Sequence, residues 1–219
     1  MALQSKLIGP VPRAKTIAAQ VAERIVLAIA NGEQQPGVRL TEGSLAEAMN
    51  VSRVPAREAL QQLQSIGIVV PLEPRGLRIV DFSPDQALEV RDVRMGLEGV
   101  AVKLAMPVAR KYPERLARLD EILDSMQERF ASGDAISLAQ CDVEFHREIM
   151  RLSGNPLLRK FWEGLAPHLV ILFCRDWHAN REKIGEVKLH QRLRMLIADG
   201  EPGEVEEVLA DHFAGPGMT

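Results

Sequence analysis

Three histidines and one aspartate lie on the apolar faces of predicted helices, where together they could bind a metal ion. Asp142 and His146 are four residues apart and share one core-directed face of a helix. His190 and His212 lie on similar apolar faces of two later helices. Buried polar groups need partners, and a divalent ion accepts four N/O ligands of this kind. We therefore predict a metal site at these four residues; the alternative is that each histidine is an ordinary core or surface residue.

A second set of residues suited to binding, Arg53, Arg57 and Gln61, recurs every four residues along one face of a predicted helix. Ser52 is the N-cap of this helix, and a shorter helix with Thr41 as its N-cap precedes it. Two short helices, a tight turn and a basic start to the second helix are typical of a helix-turn-helix, whose second helix enters the major groove of DNA. Arginine there can contact guanine or a phosphate. The alternative is that the arginines only solvate an exposed face.

Elements on either side complete the predicted DNA-binding unit. A first helix is predicted over residues 14–30, with Ile17 at the start of its buried stripe. Two β-branched segments within residues 68–80 are separated by prolines and a glycine, which predicts a short hairpin. Its tip would present Arg75 and Gly76 to a groove edge, as in a winged helix-turn-helix. An ordinary surface hairpin is the alternative.

Residues 20–80 resemble the winged helix-turn-helix of the GntR family of bacterial transcription regulators. The matching residues are Ile25, Ile29, Gly32, Pro36, Gly37, Arg39, Leu40, Glu42, Leu45, Ala46, Val51, Ser52, Arg53, Pro55, Arg57, Glu58, Ala59, Leu60, Leu63, Gly67, Arg75 and Gly76. The resemblance implies that Arg53 and Arg57 touch DNA and that Gly76 lies in the tip of the wing. Gly43 stands where many relatives carry a charged or polar residue that also reaches DNA, so the resemblance does not imply an operator sequence. We predict DNA contacts from Thr41, Ser52, Arg53, Arg57, Gln61, Arg75 and Gly76.

Length, composition and charge agree with this organisation. A chain of 219 residues, 46% of them apolar, is long enough for two domains with their own cores. The net charge is −3, but residues 1–80 carry nine Lys or Arg against six Glu and no Asp, so the phosphate-binding surface should lie there. Cys141 and Cys174 have no metal-ligand spacing and indicate a reducing compartment. With no signal peptide or long apolar run, we expect a soluble cytoplasmic protein that does not bind membranes.

The rest of the chain predicts a helical bundle. Ser83 and Pro84 are typical of a helix start, and a long helix follows from Leu88 to Leu104. Shorter helical patterns occupy residues 113–130, 135–152, 157–176, 181–198 and 204–213. The expected fold is mainly α: a winged helix-turn-helix of three helices and a hairpin, then six antiparallel helices in an all-α bundle. The expected divisions are a flexible arm at 1–12, the DNA-binding domain at 13–81, an effector, metal-binding and dimerisation domain at 84–213, and a tail at 214–219.

Residues 84–213 resemble the FCD ligand-binding domain of the FadR subfamily of GntR regulators. The matching motifs are Arg94-x-x-Leu97-Glu98, Asp142-x-x-Phe145-His146, Ser153-Gly154-Asn155-Pro156-Leu157, His190 and His212. The resemblance implies that the aspartate and the three histidines coordinate zinc, nickel or manganese, and that the effector is an organic acid. Leu189 stands where relatives often have Glu. Open metal positions and Arg94 could hold the carboxylate of that acid, whereas Arg147 and Arg151 are expected to be solvated.

These features predict a sequence-specific regulator, usually a repressor in this family, that responds to a small carboxylate. A homodimer on a palindromic operator is expected, because one helix-turn-helix reads only a half-site. One alternative is an enzyme in which the metal site activates water for hydrolysis. No obvious general base accompanies the site, and the N-terminal region would be unexplained, so we expect no catalytic residues. The other alternative is a metal sensor in which the ion itself is the signal.

Overall fold

The computed structural model describes residues 15–179 and 186–214. The described residues form ten α-helices and three short strands. In chain order these are α1 (Ile17–Ala30), β1 (Arg39–Leu40), α2 (Glu42–Ala48), α3 (Arg53–Ser65), β2 (Val69–Pro71), β3 (Leu77–Ile79), α4 (Pro84–Lys111), α5 (Ala117–Ser132), α6 (Ala135–Leu152), α7 (Pro156–Glu163), α8 (Ala166–Ala179), α9 (Glu186–Asp199) and α10 (Val205–Ala214). The predicted arm, most of the predicted tail and the start of the helix predicted over 181–198 lie outside the described residues. Within them, no helix is long and apolar enough to cross a membrane.

The N-terminal unit contains α1 to α3 and a small antiparallel sheet. Thr41 caps α2 as predicted. Its side chain accepts a hydrogen bond from the Ser44 amide, and the Ser44 side chain accepts one from the Thr41 amide. Asn50 has a left-handed backbone after α2, with φ of 50°. Ser52 occupies the N-cap position of α3, but its side chain makes no capping hydrogen bond. The predicted helix-turn-helix is therefore confirmed as a fold.

The sheet has one more strand than the predicted hairpin. Its order is β1-β3-β2, and Arg39 of β1 pairs with Arg78 of β3. Ile17 is a further correction, because it is exposed and Ala18 takes its place in the buried stripe of α1. Ile17 is the first residue of α1. The buried face near this end of the helix includes Ala18 and Ala22, and alanines are too small to give a clear apolar pattern in the sequence.

Helices α4 to α10 form the predicted all-α bundle, but with seven helices among the described residues instead of six. The segment predicted as one helix over 157–176 is two, α7 and α8. Gly164 ends α7, since its amide bonds to the Phe161 carbonyl, and Pro167 lies in the first turn of α8, where no helical hydrogen bond is lost. The helix predicted over 135–152 matches α6 at both ends.

Helix α4 has two apolar faces. One face packs into the bundle and buries Ala101, Val102 and Ala105. The other exposes Val93, Val100 and Leu104, which lie within about 40° of one another around the helix axis; we call these three residues the α4 stripe. Leu88 is also exposed, but it lies roughly 140° around the axis from Val93. The side chains of Val93 and Val100 are 51% and 50% exposed. The predicted long helix is therefore present, but several of the apolar residues that indicated it face solvent in the single chain.

The N-terminal unit contacts the bundle through α8. Helix α1 packs against α8, and α8 packs in turn against α6. Phe82, in the link before α4, is buried against the His168 ring, and Arg175 of α8 donates a hydrogen bond to its carbonyl. Ser83 then caps α4 by accepting a hydrogen bond from the Gln86 amide. Helix α4 therefore begins at a link that is fixed to the bundle.

Candidate functional site

The structure brings the four predicted metal ligands together in the interior of the bundle. Helix α6 supplies Asp142 and His146, α9 supplies His190, and α10 supplies His212. All four side chains are buried, and one potential ligand atom of each lies within 4.8 Å of those of the others. We call these four residues the His/Asp cluster. Helical spacing on α6 and the packing of α9 and α10 produce this arrangement.

The contacts within the His/Asp cluster direct one nitrogen of each imidazole and one carboxylate oxygen toward each other. His190 Nε2 lies 2.9 Å from Asp142 Oδ1, and His146 Nε2 lies 3.8 Å from the same oxygen. His212 Nε2 lies 3.1 Å from His146 Nε2. The latter two nitrogens can share one proton, or both can act as ligands when neither carries one. Imidazole nitrogen and carboxylate oxygen at such separations form a donor set that suits a divalent ion.

Burial controls the charges in the cluster. Burial alone would raise the pKa of Asp142, but the hydrogen bond from His190 and the positive charge of Arg94 hold that pKa below its usual range. Burial lowers the pKa of His146, although the Glu98 carboxylate opposes the shift. Burial and the neighbouring histidines lower the pKa of His212 strongly. The aspartate is therefore charged and these two imidazoles are neutral near pH 7, which are the forms that bind metal ions.

Arg94, on α4, approaches the cluster with one unsatisfied nitrogen. Its Nε donates to Glu98 Oε1 at 2.6 Å, and its guanidinium lies 4.4 Å above the centre of the Phe213 ring. Its Nη2 is buried 3.9 Å from Asp142 Oδ2 and makes no hydrogen bond to any residue that the structure describes. A buried donor without an acceptor is unfavourable, so this nitrogen could serve a bound anion.

Glu98 is a residue of the site to which sequence reasoning gave no role. It is fully buried, accepts a hydrogen bond from Trp162 Nε1 at 3.0 Å, and places Oε2 2.5 Å from His146 Nδ1. Burial would raise its pKa, but Arg94 and His146 together lower the pKa to about 2. The available signals were its spacing of four from Arg94 and its place in the matching motif Arg94-x-x-Leu97-Glu98. It was not predicted to be buried, because a glutamate in a helix that carries many exposed charges is typical of a surface residue.

Arg147 and Arg151 do not reach the cluster. Arg147 pairs with Glu144 and Glu163, and Arg151 pairs with Glu148. The prediction that they are solvated holds for Arg151, whose side chain is largely exposed, but Arg147 is partly covered by its two partners. Both arginines are neutralised on the bundle surface.

The predicted DNA-contacting residues of α3 form one exposed face. Arg53, Arg57 and Gln61 are all exposed, and Ser52 is exposed at the helix start. Arg57 Nε lies 3.2 Å from Glu42 Oε1 at the start of α2, a contact between two exposed side chains that contributes little stability. Thr41 is half-buried because it caps α2. The arginines are therefore available to a partner.

The tip of the hairpin carries Arg75 and Gly76, both exposed. Gly76 has φ of 101°, and an added Cβ would lie 3.0 Å from the Arg39 side chain, so glycine is required there. Arg39 and Arg78 face each other across β1 and β3 and are also exposed. Neither of these two arginines could be assigned a role from the sequence, because the two-residue strand β1 that brings them together is too short to show a period.

Comparison with known families decides between the classes of function. The FCD domain family matches residues 89–215, and the family described as "Bacterial regulatory proteins, gntR family" matches residues 17–79. The chain belongs to the GntR family of transcription regulators with an FCD domain. Proteins of this GntR family bind DNA operators and respond to small-molecule effectors, so the chain is a regulator and not an enzyme.

Individual relatives agree with this assignment. The "Probable D-xylose utilization operon transcriptional repressor" of Paenarthrobacter nicotinovorans is 26% identical over 199 residues, which cover 91% of this chain and 86% of the relative. The "Gluconate operon transcriptional repressor" of Bacillus subtilis is 29% identical over 148 residues, covering 68% of this chain and 60% of the relative. The solved structure titled "E. coli McbR/YncC" shares the fold, with a TM-score of 0.76 and 24% identity over 92% of this chain and 95% of that one.

Substitution of the α3 arginines should weaken operator binding. We expect Arg53→Ala or Arg57→Ala to lose about 1–3 kcal/mol of specific binding, because each would remove a contact to a base. The measurement is a binding titration on an operator selected from random DNA by the parent protein. Arg118→Ala is the matched control, since Arg118 and Arg57 are both 53% exposed and both pair with a glutamate, but Arg118 lies on α5. Parent-like affinity in both α3 variants would show that another surface reads the DNA.

Proposed function

We propose that this regulator is a cytoplasmic repressor controlled by a small carboxylate that binds beside a divalent metal held in the His/Asp cluster. The observation that carries the proposal is the buried convergence of four metal-binding side chains next to the unsatisfied Nη2 of Arg94. We assign DNA binding to residues 13–81, and effector binding and dimerisation to residues 84–213. The DNA contacts would come from the exposed face of α3 and the hairpin tip.

The donor set supports a metal in this site. Three imidazoles and one carboxylate are all buried, and the Nε2 atoms of His146 and His212 lie 3.1 Å apart, where they would be poorly matched without a shared proton or a positive ion. Imidazole-rich ligation suits zinc or nickel, and the carboxylate also allows manganese. A bound ion would supply coordination positions for an incoming oxygen ligand. Arg94 would hold the second oxygen of the same carboxylate through its free Nη2.

The relatives support a carboxylate as the class of effector. One of them is named for a gluconate operon, and gluconate is a hydroxycarboxylate, with one charged group for Arg94 and oxygens that can approach a metal. The buried face of Arg94 lies against Phe213, so only the edge that carries Nη2 is directed toward Asp142. An anion bound there would be contacted from α4, α6 and α10 at once.

Direct metal sensing is the alternative that the same residues allow. In that case the ion would itself change the conformation, and Arg94 would be a structural partner of Glu98. The unsatisfied Nη2 favours the carboxylate, because a sensor of metal alone leaves this buried donor without an acceptor.

The metal is tested first by composition. We expect the purified protein to contain close to one divalent ion per chain, and the double variant His146→Ala, His190→Ala to contain none. Elemental analysis after dialysis against zinc measures both. Zinc at about 100 times its dissociation constant should add about 2.7 kcal/mol to the free energy of unfolding, and a chelator should remove it. His168→Ala is the control, because His168 is buried outside the cluster. A parent protein that takes up no metal would leave the cluster as a hydrogen-bonded polar group.

The α4 stripe supports a homodimer. Three apolar side chains from Val93 to Leu104 are exposed on one face along about 17 Å of helix, and a continuous apolar surface of this kind is a candidate interaction site. The exposed Gly96 within this face would let a second helix approach closely. A second copy of the chain packed there by two-fold symmetry would place two α3 helices on one operator, which is why we expect the operator to be palindromic.

Charge in the α4 stripe should separate the proposed dimer. We expect the parent to be a dimer at micromolar concentration and the variant Val93→Glu, Val100→Glu to be a monomer, because two buried carboxylates would face two others across the axis. Sedimentation equilibrium gives the masses. Met195→Glu, at an exposed apolar position on α9, is the control and should remain dimeric. A dimeric stripe variant would place the contact elsewhere.

Helix α4 links the effector site to the DNA-binding unit. It carries Arg94 on its buried face and the stripe on its exposed face, and it begins directly after the fixed link at Phe82. A small shift of α4 on effector binding would change the separation of the two α3 helices in the dimer. Effector and operator would then change each other's affinity by the same factor, typically about 5–150-fold.

Two arginine variants should separate binding from control. We expect Arg94→Ala to retain operator binding and lose the effector response, whereas Arg57→Ala should weaken operator binding and still bind effector. The effector is the organic acid that most raises the melting temperature of the zinc-loaded parent, and operator affinity is measured with and without it. Arg91→Ala serves as control, because Arg91 lies on the same helix and pairs with Asp92 at the surface. A full response in Arg94→Ala would place the acid elsewhere in the bundle.

A further inference from the structure

Glu98 divides its two oxygens between two groups of partners. Oε1 accepts hydrogen bonds from Arg94 Nε at 2.6 Å and from Trp162 Nε1 at 3.0 Å. Oε2 lies 2.5 Å from His146 Nδ1, a close contact without hydrogen-bond geometry. The carboxylate is fully buried, so its orientation is fixed by these three side chains from α4, α6 and α7. It lies behind the His/Asp cluster and is not one of the four potential ligands.

The negative charge of Oε2 beside Nδ1 favours the form of His146 whose Nε2 faces the cluster without a proton. A carboxylate at Nδ1 favours the tautomer that carries its proton there. The lone pair of Nε2 is then directed toward Asp142 and His212, 3.8 Å and 3.1 Å away. Carboxylates that hold the distal nitrogen of a metal-binding histidine fix the ring and raise its basicity.

The contacts with Oε1 hold the carboxylate itself in place. Trp162 is fully buried on α7 and reaches Glu98 across the bundle, and Arg94 approaches from one turn earlier on α4. Because Arg94 uses Nε for this bond, its guanidinium is fixed with Nη2 on the side of Asp142. One carboxylate therefore orients both the metal-side histidine and the effector-side arginine.

We propose that Glu98 is the positioning residue of the metal centre, acting through His146 and held in place by Trp162 and Arg94. This rests on the proposed function, since it assumes that the His/Asp cluster binds a metal. Its consequence is that zinc affinity depends on a residue that does not touch the ion. The dependence should disappear when His146 is absent, because no other cluster residue contacts Glu98 among the described interactions.

The test is a double-mutant cycle on zinc affinity. Zinc dissociation constants are measured by chelator competition for the parent, Glu98→Gln, His146→Ala and the double variant. Glu98→Gln keeps the shape of the side chain and one oxygen that can accept from Arg94 and Trp162. Its NH2 group would then lie beside His146 Nδ1, where it carries no negative charge and cannot accept a hydrogen bond. We expect it to weaken zinc binding about 10–100-fold. In the His146→Ala background the same change should have almost no effect, because interacting residues are not additive.

Two further variants complete the test. Glu148→Gln is the matched control, since Glu148 is also buried and paired with an arginine, but on the far side of α6; zinc affinity should match the parent. Trp162→Phe removes one donor to Glu98 and should weaken zinc binding less than Glu98→Gln does. If Glu98→Gln does not fold, a parent-like zinc affinity in Trp162→Phe overturns the inference.

The outcomes distinguish this inference from the proposed function. A parent protein that binds no zinc refutes the metal site, and with it the role of Glu98. A parent that binds zinc, with Glu98→Gln unchanged, refutes only the positioning role. Equal losses from Glu98→Gln in the presence and absence of His146 would also overturn it, because Glu98 would then act through the fold in general.

Discussion

The burial of one carboxylate and three imidazoles at a single point is the constraint on which the bundle depends. Charged and polar groups in an interior are stable only when each is matched by a partner. The His/Asp cluster draws its members from α6, α9 and α10, so satisfying it requires all three helices to be packed in register. A metal ion at this point would stabilise the folded bundle, because the unfolded chain does not hold the ligands together.

The same site connects to the rest of the molecule through α4. This helix is the only described one that supplies both a residue beside the cluster, Arg94, and an exposed apolar stripe that a second chain could cover. Its first turn follows Phe82, which α8 fixes from the bundle side. Helix α8 also packs against α1. The proposed effector site, the proposed dimer surface and the DNA-binding unit are thus connected through α4 and α8, so a change at the cluster could reach the DNA-binding unit through packed helices.

Periodicity and capping predicted most of the fold. The apolar periodicity of α6 predicted both ends of that helix. It also predicted that Asp142 and His146 share a face, because residues four apart on a helix do so whatever packs against them. Thr41 and Ser83 marked helix starts that the structure confirms. The break between α7 and α8 was visible as Gly164 and Pro167, but the continuous apolar pattern around them favoured one long helix.

Contacts between elements distant in sequence could not be predicted in this way. Strand β1 has two residues and exists only because β3 pairs with it. From the sequence, Glu98 is indistinguishable from an ordinary surface glutamate on a helix. Its burial depends on contacts with residues distant in sequence, such as Trp162, which is 64 residues later. The exposure of Val93 and Val100 could not be predicted either. An apolar residue in a sequence does not show whether it packs against its own chain or against a second chain.

Operator affinity under four conditions tests the central claim most directly: chelated protein, zinc alone, acid alone, and zinc with acid. The acid is the one that most raises the melting temperature of the zinc-loaded protein. Our account predicts that the acid changes the operator dissociation constant by about 5–150-fold when zinc is present, and has no effect on the chelated protein. A full change with zinc alone would identify a metal sensor. The same dissociation constant under all four conditions would contradict the account, because the His/Asp cluster would then have no influence on DNA binding.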